Sequence, residues 1–103
     1  MNANEKLTLT EKEEMVLKAI IKESNFDTTR LDITKSWEEQ RVRDYFWAFA
    51  DTKDYGCGMS KQTVRGIFGS LVKKGLISLS DDDDVTWIVI GKEEFENIKV
   101  CLR

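Results

Sequence analysis

The stretch Gly58 to Leu79, GMSKQTVRGIFGSLVKKGLISL, leaves the chain little freedom in what it can build. Ser60 is a good N-cap, because its hydroxyl can accept from a free amide of a helix start. From Val64 the apolar residues fall at Val64, Ile67, Phe68, Leu71 and Val72, the repeat of one helical face. Lys73 and Lys74 sit in the last turn, where cations suit the helix dipole. Gly75 follows as the stop, able to take the left-handed conformation after a helix end. The pattern predicts a helix over 60–75 and a short strand from Ile77 to Leu79.

Both flanks extend it. Ser80 to Asp84 reads as a turn, and Val85 to Ile90 (VTWIVI) as a β-branched and aromatic second strand. Gly91 ends that strand. Lys92 to Leu102 reads as a short helix with Phe95, Ile98 and Leu102 on its apolar side. Upstream, residues 1–7 carry no periodic signal and are expected to be a frayed tail. Thr10 and Glu13 have capping-box spacing. They open a helix to about Ser24, with Met15, Val16, Ala19 and Ile20 as its face, widened by Leu17 and Ile21. Asn25 to Thr28 is a loop. Thr29, Leu31 and Ile33 alternate with Arg30 and Asp32, a period of two that predicts a short strand. Ser36 and Glu39 form a second capping box. It predicts a helix from Trp37 to about Ala50, with Val42, Phe46 and Phe49 as the inner stripe. Asp51 to Met59 is a polar loop with two glycines.

A capped amphipathic helix, a Lys-Lys-Gly stop and a strand leading to a hairpin resemble the recognition helix and wing of winged helix-turn-helix domains, as in small prokaryotic or phage regulators. The resemblance covers about residues 8 to 90 and is specific over 58–90. It implies one winged-helix domain over 1–103, mainly α with a small β-hairpin (an α+β fold). The parts would be a three-helix core, a wing of two to three strands and a C-terminal helix. The segment around Leu31 would then join the edge of the wing. The resemblance also implies that the first turns of the 60–75 helix enter the major groove of double-stranded DNA. The matching positions are Ser60, Lys61, Gln62, Thr63 and Arg65, with Lys61, Lys73 and Lys74 suited to phosphates. Gln can pair with adenine and Arg with guanine through two hydrogen bonds each. The chain departs from the pattern between the two central helices. It has nine residues, 51–59, where a tight turn uses three or four. A short helical turn inside that segment would reconcile the two.

Charge cuts both ways. The net charge is −3, whereas a dedicated nucleic-acid binder is often basic. Yet Ser60 to Gly75 holds four cations and no acid, a local excess that matters more than the total. The alternative is an ordinary solvated helix face. Gly66 and Gly69 each cost about 1 kcal/mol relative to Ala inside a helix. They serve close approach of another backbone or tight packing on the first helix, or they mark a tolerated weak helix. Asp81 to Asp84 occupy the expected wing tip, where phosphate would repel them. They read as a solvated turn, or as an acidic contact surface for a basic partner. A calcium loop fails on spacing, since Thr86 stands where glycine is needed and Lys92 where the closing glutamate belongs. Trp37, Tyr45, Trp47 and Trp87 are more large amphipathic residues than one small core needs. The helix holding Trp47, with the terminal helix, is the candidate interface, with Trp37, Tyr45 and Trp47 as its residues and a homodimer or a protein partner on the other side.

Chemistry at a reactive centre has no support. The chain has no histidine, which removes Ser-His and Cys-His pairs and the usual zinc sets. Its carboxylates are scattered. No catalytic residue, metal ligand or cofactor is assigned. Cys57 and Cys101 are expected as free thiols. No apolar run spans a bilayer and the first residues lack a secretory pattern, so a cytoplasmic protein is expected. Two functions follow. One is a DNA-binding transcriptional regulator reading duplex with helix 60–75. The other is a protein-interaction module on the same scaffold, using its acidic wing and exposed aromatics.

Overall fold

Residues 8–23, 25–26, 29–40 and 45–102 are described by the structure, a computed structural model. In chain order they form α1 (Glu11–Glu23), β1 (Asn25–Phe26), β2 (Thr29–Arg30), a 3-10 turn (Glu38–Gln40) and β3 (Tyr45–Phe49). Then come α2 (Lys61–Lys73), β4 (Ser78–Asp82), β5 (Val85–Gly91) and α3 (Lys92–Cys101). The result is a small α+β domain with three helices and a three-stranded antiparallel sheet of order β3-β5-β4. Among the described residues, strands β1 and β2 pair with each other in a separate antiparallel ribbon.

Local chemistry accounts for the helices. In the α1 capping box, the Thr10 amide donates to Glu13 Oε1 at 2.8 Å and the Glu13 amide to Thr10 Oγ1 at 3.2 Å. Val16, Leu17 and Ile20 are fully buried, while Met15 points outward. Helix α2 buries Val64, Ile67, Phe68 and Leu71 and leaves Val72 exposed. It ends in a Schellman motif: the Gly75 amide donates to the Val72 carbonyl and the Leu76 amide to the Leu71 carbonyl, each at 3.0 Å. Gly75 has φ +75°, as that ending requires. Helix α3 buries Phe95 and Ile98, and the Glu94 carboxylate accepts from the Gly91 amide at 2.7 Å. These faces close on Phe46, Ile88 and Ile90, the inward residues of the sheet. Full burial of each such side chain stabilises by about 1.5–3 kcal/mol.

Three expectations are corrected. The helix expected over 37–50 is absent from the described residues. The Ser36–Glu39 capping box does form, with the Ser36 amide on Glu39 Oε1 at 3.1 Å and the Glu39 amide on Ser36 Oγ at 3.3 Å. Among the described residues it opens a single 3-10 turn, Glu38–Gln40. Tyr45–Phe49 is a strand instead, paired with β5 from Tyr45↔Gly91 to Phe49↔Trp87. The run YFWAF is aromatic and suits a pleated surface, and pairing buries Phe46 while Phe49 faces out at 58% exposed. Phe49 is thus no inner-stripe residue, and Val42 lies outside the described residues.

Second, the strand expected around Leu31 does not join the hairpin. β2 is Thr29–Arg30 and pairs with β1, and 31–36 is a turn in which Leu31 is buried. Gln40, buried, holds that turn: it accepts from the Asp32 amide at 3.0 Å and donates to the Asp32 and Ser36 carbonyls at 2.7 and 3.1 Å. The sheet's third strand is β3. Third, the hairpin turn is shorter than 80–84. Pairing runs to Asp82↔Val85, so only Asp83 and Asp84 turn, with φ of 45° and 68°. The tail 1–7 lies outside the described residues. Among the described residues no helix is long and apolar enough to cross a membrane.

Candidate functional site

The segment before α2 sets where that helix starts. Asp51 Oδ1 accepts from the Lys53 and Asp54 amides at 2.8 and 2.9 Å, and the Tyr55 amide reaches the Asp51 carbonyl at 3.1 Å. That is one capped helical turn. Tyr55 is buried in the core and anchors the segment. Gly56 follows, then Cys57 and Gly58 at φ 52° and 84° bend the chain into Ser60. Ser60 Oγ accepts from the Thr63 amide at 3.2 Å, and its hydroxyl donates to Thr63 Oγ1 at 2.9 Å. The nine-residue gap is therefore a folded turn that aims α2.

On the solvent side of α2 stand Lys61, Gln62, Thr63, Arg65 and Lys73, all exposed, with Ser60 exposed at the cap. Gly66 and Gly69 complete this side. An added Cβ at either would meet nothing within 4 Å, so neither glycine is there for packing inside the molecule. Lys74 differs. Its ammonium donates to Glu13 Oε1 at 2.5 Å and to the Thr8 carbonyl at 2.8 Å, tying the end of α2 to the start of α1. Burial pushes the Glu13 carboxyl up, but the Lys74 ammonium and the Thr10 amide and hydroxyl outweigh it, so it titrates below the ordinary glutamate value. Lys74 is spent inside the molecule and drops out of the set suited to phosphates.

Lys61 and Arg65 do not face open water alone. They line a cleft of about 630 Å³ whose far wall carries Asp81 and Asp84 of the hairpin, with Phe68 and Leu79 among its apolar lining. Acid and base thus share one cavity, and Thr86 Oγ1 donates to Asp81 Oδ1 at 2.7 Å across the hairpin.

The aromatic residues separate into two groups. Trp37 is 8% exposed and packs in the core against Phe46 and Phe95, at ring-centroid distances of 5.9 and 5.5 Å. Its expected place at an interface is corrected: β3 carries Phe46 inward, and the indole closes over it. Tyr45 and Trp47 are exposed, as expected of contact residues, but they stand on a strand and share its outer face with Phe49. Across the pairing, Trp87 of β5 meets Trp47 edge to face at 4.9 Å and stacks on Phe49 at 4.3 Å. Phe49 and the joining of these rings into one surface were missed by reading 37–50 at helical period. The signal was present, since Tyr45, Trp47 and Phe49 recur every second residue. Neither Cys57 nor Cys101 is in a disulfide, and burial raises the Cys101 pKa.

No protein-family model, no curated protein and no solved structure matches this chain.

Proposed function

We propose that the chain is a duplex-DNA-binding protein of winged-helix-like layout, a small transcriptional regulator that reads DNA with α2. The observation that carries the reading is the solvent side of α2: Lys61, Gln62, Thr63, Arg65 and Lys73 with no acid anywhere in the helix. The element order supports it. A first helix, a strand beside the hairpin, a capped turn, a second helix and the β4–β5 hairpin follow one another as in that layout, and the 51–59 turn stands where a further helix would be. The bare backbone at Gly66 and Gly69 lets a groove wall come close. Gln62 and Arg65 are the base-reading candidates, and Lys61 and Lys73 the phosphate contacts. The hairpin does not help, because Asp81 and Asp84 repel phosphate beside Lys61 and Arg65.

Binding to a random-sequence duplex pool, titrated against salt, tests this. Two cations on phosphates predict a log–log slope of about −1.8. Lys61→Glu with Arg65→Glu abolishes binding while the circular dichroism spectrum is unchanged. Asp81→Asn with Asp84→Asn tightens it, most at low salt. Absence of any shift on the pool at low salt sinks the reading.

A further inference from the structure

The outer face of the sheet carries a second site. Its outward rows are Tyr45, Trp47 and Phe49 on β3, Val85, Trp87 and Val89 on β5, and Ser78, Ser80 and Asp82 on β4. Among these described residues there are four aromatic rings, one carboxylate and no cation. Tyr45, Trp47, Trp87, Val89, Ser80 and Asp82 line a cleft of about 290 Å³. The Trp47 and Trp87 rings stand at 80° to each other, which makes a corner with two aromatic walls. Phe49, stacked on Trp87 within 20° of parallel, fixes the orientation of one wall. Asp82 closes the opposite side across the central strand, and Asp83 and Asp84 follow it in the exposed turn.

We propose that this cleft binds a cationic side chain, a guanidinium or an ammonium, presented by a basic segment of a partner protein. The two indoles and the Tyr45 ring offer negative faces to a cation. Asp82 lies where the same cation would meet a carboxylate, so the attraction is directional. Charge also decides against the nearest competitor. Aromatic rings on a sheet can stack the bases of single-stranded nucleic acid, but such platforms track the phosphates with a basic groove. Here the one charged residue among the described lining residues is Asp82, an acid. The site is distinct from the α2 face, since it uses the outward residues of strands whose inward residues, Phe46, Ile88 and Ile90, face the core.

The test uses the three indole N–H signals of the full chain in a nitrogen–proton correlation spectrum, assigned with single Trp→Phe variants. The probes are an octapeptide of alternating Arg and Gly, the same peptide with Glu for Arg, and oligodeoxythymidine. Expected are saturable shifts of the Trp47 and Trp87 signals with the Arg peptide alone, with the Trp37 signal unmoved. Trp87→Leu or Trp47→Leu weakens binding about two- to thirtyfold, and Asp82→Asn about two- to fivefold. Trp47→Phe keeps an apolar ring, guards against misfolding of the leucine variants, and weakens binding less than they do. The proposal is overturned if the Glu peptide moves the same signals equally, or if oligodeoxythymidine does so at lower concentration. Signals that move with protein concentration alone, marking a second copy of the chain as the occupant, overturn it too. So does the absence of saturable shifts at millimolar Arg peptide, or an Asp82→Asn variant that binds as well as the parent.

Discussion

Gly56, Gly66 and Gly69 show how differently one residue type can be used. At Gly56 a Cβ would collide with the Thr52 carbonyl oxygen and lie 3.0 Å from Val64 Cγ2. The obstacle is backbone and a buried helix residue, so nothing can swing aside. Gly66 and Gly69 have open space where a Cβ would go. Gly56→Ala therefore costs about 1–3 kcal/mol, whereas Gly66→Ala and Gly69→Ala each stabilise by up to about 1 kcal/mol through helix propensity. Urea unfolding of the three variants reads both signs, and a destabilised Gly66→Ala would count against an open α2 face. The open space at Gly66 and Gly69 removes the packing explanation for both and leaves two others, close approach by another molecule or a helix that tolerates two weak formers. None of this was visible in sequence, because it depends on how the 51–59 turn folds back on itself and on what packs against each side of α2.

The β4–β5 hairpin gives the aspartate run its structural reason. Two-residue hairpin turns that follow the twist of the strands need positive φ at both central positions, and here these are Asp83 and Asp84. Aspartate tolerates that conformation better than most residues but still at some strain. Replacing the pair by Asn-Gly, the favoured sequence for such a turn, raises stability by about 1 kcal/mol, or about 4–8 °C in melting temperature for a domain of this size. An unchanged or lower melting temperature would show that the turn is not of this type. Strand β5 and helices α1, α2 and α3 were legible as elements, because caps, stops and apolar period act within a few residues. Strand β3 was not. Phe46 and Phe49 satisfy a helical stripe with Val42, while Tyr45, Trp47 and Phe49 satisfy a strand, and a real capping box sits just upstream. Only the free edge of β5 and a core site for Phe46 settle the competition.

The Glu13–Lys74 pair couples elements far apart in sequence. It joins the first turn of α1 to the end of α2, in a site where Glu13 is 6% exposed. The folded carboxyl titrates below its ordinary value of 4.5. Its contribution to stability is thus fully present above the unfolded value and is lost as pH falls through the folded one. The chain is expected to lose stability on acidification below about pH 5. Glu13→Gln keeps the cap geometry but removes the charge. It costs about 1–2 kcal/mol at neutral pH and flattens the acid limb of melting temperature against pH. Some slope stays, because three other carboxyls also titrate low. Thr34 hydrogen bonds hold down Asp32, its own amide and Lys92 hold down Glu38, and Ser36 holds down Glu39. An acid limb identical to the parent's would remove Glu13 from this account. Residues close in sequence were enough to determine where the three helices start and stop, which face of each is apolar, and that α2 is cationic without an acid. Tertiary structure alone decided that 45–49 is a strand, that Lys74 is spent on Glu13, that Asp81 and Asp84 confront Lys61 and Arg65, and that aromatic rings from two strands meet in one cleft. Capping and helical period are interactions over three or four residues, and the chain carries them wherever it goes. Strand pairing, burial and charge neutralisation depend on what the rest of the chain brings alongside, and that exists only once the core has closed.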